Sequence, residues 1–584
     1  MRLTLGTVGP FLLPAAIAAG AVWLGNVKPS RGFDDRLRPI PGTFRIAIPT
    51  NPPNLDPVEA TDTTSDGILE RLAGTLVKYD PSLALVPDMA ETLPEVSADG
   101  RVYTFRLRPG ILFHSWTDLE GKTHPSREVT SEDVRYSLVR LLEPWSKRAW
   151  LLDAVEGVGE ARKALASKKD RTDVAQPPVA GIETPDPRTI RIRLAERNRY
   201  FLYFLAMNNA MVVPKEAVAA LGLRFGRQPV GTGPFRRVGW RDNHKLEFER
   251  FEGFRGTRPL LERVVFYVIP DQETAFQAYL NGDLELIQTP DGKIRTIAAS
   301  NLGPQQTLNP LGDSRFHCFN MERAPLGGNT EKADPPIPMS KEDKDRARKI
   351  RQAVNWAIDR EFLCREVLEG SSIPAKGVLP PSIHGYDRDL KGYGYDPERA
   401  KRLLAEAGYP EGRGLPEFEY HFNSQSPNPQ IAQAIQEMLR RVGIRTALKQ
   451  LDWGAYQNFV DEGKATFFRM AWIMDYPEAE NFLYVLFHSK FLGSDGNYAR
   501  TQNPDLDGLL ERARGAPTVE EEMALWRAAE AAIVEEAPWA FLYHKATAIL
   551  VKPYVKGVVF TAMDAGPEIQ QVDLGVVRIE PGTP

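Results

Sequence analysis

Cysteine is almost absent from this chain: Cys318 and Cys364 are the only two in 584 residues. So sparse a supply excludes a disulfide-stapled scaffold and a thiolate-rich metal site. One structural disulfide or two buried free thiols remain, since Cys364 falls seven residues after Ala357 and fourteen after Ile350, on the apolar face of a helix. Charge of one sign is missing as well. With 73 basic against 77 acidic residues the formal net charge is −4, which gives no electrostatic reason to expect nucleic acid. Beyond Val27 no long apolar run occurs, so the body of the chain is not built to span a bilayer.

The familiar signatures of catalysis are missing too. None of the eight histidines stands in a His-Glu-x-x-His pattern or one helical turn from another, which removes the usual reason to expect zinc. Gly493-Ser-Asp-Gly496 is one residue short of a nucleophile elbow. Gly231-Thr-Gly-Pro-Phe235 begins like a nucleotide fingerprint, but Arg236 stands where the third glycine belongs and Pro234 follows the second, so it reads as a rigid connection. No enzyme, cofactor or metal is expected.

What is present starts with Met1 to Asn26, where Arg2 is the only charge before the apolar stretch Phe11 to Gly25. This is an export signal, either cleaved near Ala16-Ile-Ala18 or Ala19-Gly-Ala21, or retained as a membrane anchor. At 584 residues, 42% hydrophobic and 26% charged, the remainder is a globular chain of two to four domains.

Periodicity divides it. Thr43 to Ile48 alternates as a strand closed by the proline-rich Pro49 to Pro57, and Val102 to Leu107 and Thr189 to Leu194 alternate similarly. Thr130 with Asp133 forms a capping box ahead of Val134, Leu138 and Leu141. The charged interval from Arg148 to Pro178 reads as a helical solvent face. Val264 to Ile269, Asp271 to Leu280 and Leu284 to Ile287 form a strand-helix-strand crossover, and the same grammar returns at Phe418 to Phe422, Gln430 to Val442 and Ile444 to Leu451. Two α/β lobes are implied. Between them, Arg323 to Arg346 reads as an exposed excursion, and the stripe Ile350, Val354, Ala357 and Ile358 as a scaffold helix.

One stretch places charge among apolar residues: Thr466 to Tyr484 carries Arg469, Trp472 and Asp475. In a straight strand Arg469 and Asp475 would lie about 20 Å apart, too far to pair. Pro477 ends regular structure just after Asp475 and leaves that carboxylate at the mouth of a strand. On residues alone this is a buried strand with a snorkelling Arg and a turn-forming Asp.

The order of several motifs adds a second reading. Val230-Gly-Thr-Gly-Pro-Phe235, Trp240, Leu246 to Phe251, Pro259 to Phe266, Ile269-Pro-Asp271, Asn54-Leu-Asp-Pro57, Leu85 to Ala90, Thr130 to Val134, Arg351 to Asp359 and Trp472 to Phe482 together resemble the solute-binding proteins of ABC peptide importers, the dipeptide, oligopeptide and nickel group. The match runs from about Phe44 to about Val558. The resemblance implies a two-lobed, hinge-closing α/β fold with an extra domain inserted in the first lobe. Its parts would be 1–26 as signal or anchor, 43–73, 226–310 and 531–584 as lobe I, 74–225 as the inserted domain and 311–530 as lobe II. It implies a monomer outside the cytoplasm, possession of no catalytic residues, and delivery of a short peptide to a membrane permease; a nickel chelate, an oligosaccharide or a modified peptide is the alternative ligand, and an exported hydrolase the alternative class. By the same resemblance Asp475 accepts the peptide's α-ammonium, Arg469 stands near the carboxylate end, Trp472 packs on the ligand, and Asn320 contacts its backbone. The chain departs from the pattern in reading Asp475-Tyr-Pro-Glu-Ala-Glu480 and in lacking a cysteine near the signal.

Overall fold

The computed structural model describes residues 40–290, 292–328, 339–424, 427–493, 496–564 and 577–579. The export signal at 1–26 lies outside them, as do residues 329–338 of the 323–346 excursion. Its last residues belong to the helix Lys341–Ala357, which Ser340 caps by accepting from the Asp343 amide.

Eleven strands form one sheet: β1 (Thr43–Ile48), β2 (Phe235–Arg241), β3 (Lys245–Arg250), β4 (Arg263–Val268), β5 (Leu286–Gln288), β6 (Gln306–Phe319), β7 (Ser372–Pro374), β8 (Phe418–Asn423), β9 (Thr446–Leu451), β10 (Phe467–Ile473) and β11 (Trp539–Val551). Their order is β2-β3-β4-β1-β5-β11-β6-β10-β8-β9, with β7 beside β11. Both crossover units read from the sequence are there. β4, the helix Gln272–Asn281 and β5 wrap around β1, which pairs in parallel with both strands. β8, the helix Asn428–Arg441 and β9 make the parallel unit of the second lobe.

The lobes meet in two long strands. The first part of β6 pairs with the end of β11, which also pairs with β5; the second part of β6 pairs with β10 and the start of β11. Register slips between Pro310 and Ser314, where Pro310 has no amide to donate. That slip is the natural place for the lobes to turn.

A separate four-stranded sheet, Glu95–Val96, Val102–Arg106, Thr189–Arg193 and Ile182–Asp186 in spatial order, forms the inserted domain. The capping box at Thr130 and Asp133 is present. Buried Arg140 from that helix pairs at 2.7 Å with Asp56 of the Asn54-Leu-Asp-Pro57 motif, tying the domain to lobe I. Met211 to Phe225, assigned from sequence to the inserted domain, instead packs in the lobe I core with Phe44, Ile46 and Phe266. Its apolar residues Met211, Val213, Ala217, Val218 and Leu221 supply the covering that face of the sheet needs.

The helix carrying the 350–358 stripe ends at Ala357, and Asp359 caps a new turn, so Cys364 lies on a separate segment from Ile350. Both cysteines are buried free thiols. The Arg351 to Asp359 motif braces β11. Arg351 donates to the Leu326, Glu536 and Ala537 carbonyls, while Asn355 donates to the Trp539 carbonyl and accepts from the Phe541 amide. The 231–233 connection is rigid for a steric reason: a Cβ on Gly231 would lie 2.1 Å from the Leu72 carbonyl oxygen.

Candidate functional site

β10 ends at Ile473, two residues earlier than the end just after Asp475 that Pro477 led one to expect, and Asp475 lies beyond the strand. Two hydrogen bonds fix the chain there. The Met474 amide donates to the Gly312 carbonyl at 2.8 Å, and the Gly312 amide donates to Ala562 at 2.8 Å. Gly312 occupies the register slip of β6, so the residue before Asp475 is tied to the hinge. Asn481 holds the other side: its Oδ1 accepts from the Asp475 amide at 3.0 Å and from the Trp472 indole at 3.1 Å.

Asp475 lines a cavity of about 210 Å³ between the lobes and the inserted domain. The 60–70 segment, Tyr79, Arg148, the 206–209 turn and Met563 make its other walls. Four carboxylates reach it, Asp62, Asp66, Glu70 and Asp475, against a single described cation, Arg148. Asp62, Asp66 and Glu70 recur every fourth residue along the Thr63–Leu69 helix and its caps, hence on one face. Like charges at that spacing cost a few tenths of a kcal/mol each.

Burial raises the Asp475 carboxyl above the ordinary carboxylate range, against the pull of Arg148 and Asn481. Its side chain keeps 24% of its exposure, and Arg148 Nη1 stands 3.8 Å from Oδ1. Asp66 is raised likewise by burial, with Asn208 and Arg148 opposing and Asp475 and Asp62 adding. Burial pushes Glu70 up to about 7. The cleft is therefore short of positive charge, and a cation arriving there would meet carboxylates poised to ionise.

The other sequence candidates fall elsewhere. Arg469 pairs in register with His317, and Trp472 with Ser314, so the two project from opposite faces of β10. Arg469 opens on a hole of about 10 Å³ beside Arg315, His317, Asn428 and Tyr543, and is not among the residues lining the Asp475 cavity. Burial lowers its pKa, and Arg315 lowers it further. Trp472 packs against the core shared by the inserted domain and lobe II and reaches the cavity wall through Asn481. Asn320 is 1% exposed and spends its amide on the Gly463 and Ala465 carbonyls. Sequence reading missed Arg148, taken as part of a solvent face, together with Asn481 and the 62, 66, 70 spacing, the one signal visible in the chain itself. Among the described residues no His, Cys, Asp and Glu group could hold a metal ion, and no helix is long and apolar enough to cross a membrane.

Comparison with known proteins agrees with this architecture. Residues 84–493 match the family model for bacterial extracellular solute-binding proteins, family 5 middle. The chain is 30% identical over 495 residues to heme-binding protein A of Haemophilus influenzae, covering 82% of each chain. To the dipeptide-binding protein of Escherichia coli it is 26% identical, covering 85% of this chain and 88% of the relative. The fold superposes on the periplasmic binding protein DppA of Helicobacter pylori, solved in complex with the peptide STSA, with a TM-score of 0.72 at 23% identity over 94% of this chain and 99% of the other. The two lobes hinged on shared strands are those of a solute receptor, and the chain belongs to the family 5 bacterial extracellular solute-binding proteins.

Proposed function

We propose that the protein captures short peptides with a free amino terminus in the cleft and delivers them, as a monomer outside the cytoplasm, to an ABC permease. The observation that carries this reading is the charge of the cavity: four carboxylates against Arg148. Asp475 and Asp66 take the α-ammonium, which replaces Arg148 as the neighbour of Asp475. A desolvated ammonium left unpaired would cost several kcal/mol, so a site that takes one must offer carboxylate. Trp472 and Asn481 orient Asp475 and make no contact with the ligand. The site has no catalytic role, and the peptide leaves unchanged. Held at 1–26, the export signal either tethers the protein or is removed.

The peptide names among the relatives support this reading. A second rests on the heme-binding name of a 30% identical relative, which points to a non-peptide ligand in the same cleft. Native mass spectrometry of the purified protein decides between them. A short peptide with an unblocked amino terminus is the expected cargo; a porphyrin, an oligosaccharide or a metal chelate would overturn the peptide reading.

A further inference from the structure

Behind the cleft lies a second chamber, of about 250 Å³, between lobe I and the inserted domain. Thr75, Lys78, Asp88 and Phe254 line its far side, while Glu70, Tyr79, Ala206 and Asn208 belong to its wall and to that of the Asp475 cavity alike. The two spaces therefore share a partition of four side chains, which lines the same cavity as Asp475, the anchor proposed above.

Two features of the partition ask for a partner. The Tyr79 residue is 5% exposed, and its hydroxyl has no hydrogen-bond partner among the described residues. Leaving a buried hydroxyl unsatisfied costs about 1–3 kcal/mol, and its ring is already fixed by stacking on Tyr203. The phenol stays protonated, because burial and the nearby Tyr203, Glu478 and Asp475 push its pKa well up. Glu70, one helical turn from Asp66, has Arg71 nearby and shares the Asn208 amide, but makes no ion pair among the described residues. The chamber is lined by the cations Arg71 and Lys78 and the carboxylates Glu70, Asp80 and Asp88; Lys78 is engaged with Asp88 at 3.5 Å.

We infer that this chamber is a second subsite, which takes the cationic side chain of the ligand's first residue, an ammonium or guanidinium on a three- or four-carbon arm, with Glu70 as its counter-charge and the Tyr79 hydroxyl as a hydrogen-bond partner. The inference rests on the peptide reading above and narrows it to peptides that begin with a basic residue. The α-ammonium and the side-chain cation then occupy carboxylates on either side of one partition. A cation on the second residue points away from it.

Isothermal titration with Lys-Ala, Ala-Lys and Ala-Ala tests this on the unmodified protein. Lys-Ala and Ala-Lys have the same composition and charge, so only the place of the cation differs. Lys-Ala is expected to bind at least about tenfold more tightly than Ala-Lys, and Glu70→Gln to bring that ratio to within about twofold, with its fold checked by thermal melting. Equal affinities for Lys-Ala and Ala-Lys, with all three peptides bound, overturn the chamber assignment and leave the peptide reading standing. A preference that survives in Glu70→Gln overturns the assignment too. If none of the three binds, the peptide reading falls and the chamber falls with it.

Discussion

Two places in this molecule bury charge beside β10, and they differ in what surrounds it. Around Arg469 the charges are mostly cations: Arg315, neutralised in part by its bond to Asp313, and Arg469 itself, over a hole of about 10 Å³. His317 there is held neutral, since burial with Arg469 nearby drives its pKa well down. Around Asp475 the charges, Arg148 apart, are carboxylates facing about 210 Å³ of space, with walls from both lobes and the inserted domain. A hole large enough for at most one water has nothing to recognise. Buried charge alone does not mark a ligand site; the proposed anchor differs from Arg469 in facing room for a ligand.

The strongest way to break this contrast is Asp475→Ala. We expect Ala-Ala affinity to fall about 100-fold, roughly 2.7 kcal/mol, in a calorimetric titration. A loss under about threefold would put the anchor elsewhere. Next in size is Gly312→Ala. The added Cβ would lie 2.3 Å from Met474 Sδ, so the Met474 side chain must move in the wall beside Asp475; about fivefold weaker binding is expected, with little loss of secondary structure by circular dichroism.

Acidity sharpens the same comparison. Burial raises Asp475 and Asp66, so these carboxyls take up protons at a higher pH than ordinary ones, and an ammonium ligand favours the ionised form. Affinity should fall several-fold as pH drops from neutral towards the ordinary carboxylate range, and the slope should flatten in Asp475→Asn. A wild-type slope unchanged in that variant removes Asp475 from the charge recognition. The smallest effect is expected at the other place: Arg469→Met should leave Ala-Ala affinity within about twofold and stability unchanged or raised, because an apolar side chain there avoids desolvating a cation. A large loss of affinity would make Arg469 part of the site after all.

The parts of the fold that were legible in the sequence were those with a local signature. The two strand-helix-strand units, the Thr130 capping box and the end of β10 close to Asp475 each follow from periodicity or from a proline, within a dozen or so neighbouring residues. Arg469 and Trp472 show where local reading stops. Strand parity puts them on opposite faces, and only the register with β6 says which face meets the cleft. Asn320 stands at the end of a strand leading from the hinge, but its amide brackets a neighbouring turn. Arg148 was hidden among charged residues, and nothing near it in the chain signals that it returns to face Asp475. Asp62, Asp66 and Glu70 were readable as a pattern; their purpose was not, since it depends on a cavity that segments distant in the chain enclose.

The two strands that both lobes share also govern how this protein is assembled as an object. β6 and β11 each give one half of their length to either lobe. Neither lobe is then a module: cutting out the residues of one strips two central strands from the other, and a lobe taken from a relative cannot be grafted in without replacing both. The inserted domain, with its own four-stranded sheet, is free of that bond. Exchange of parts between relatives should be tolerated there and refused at the lobes.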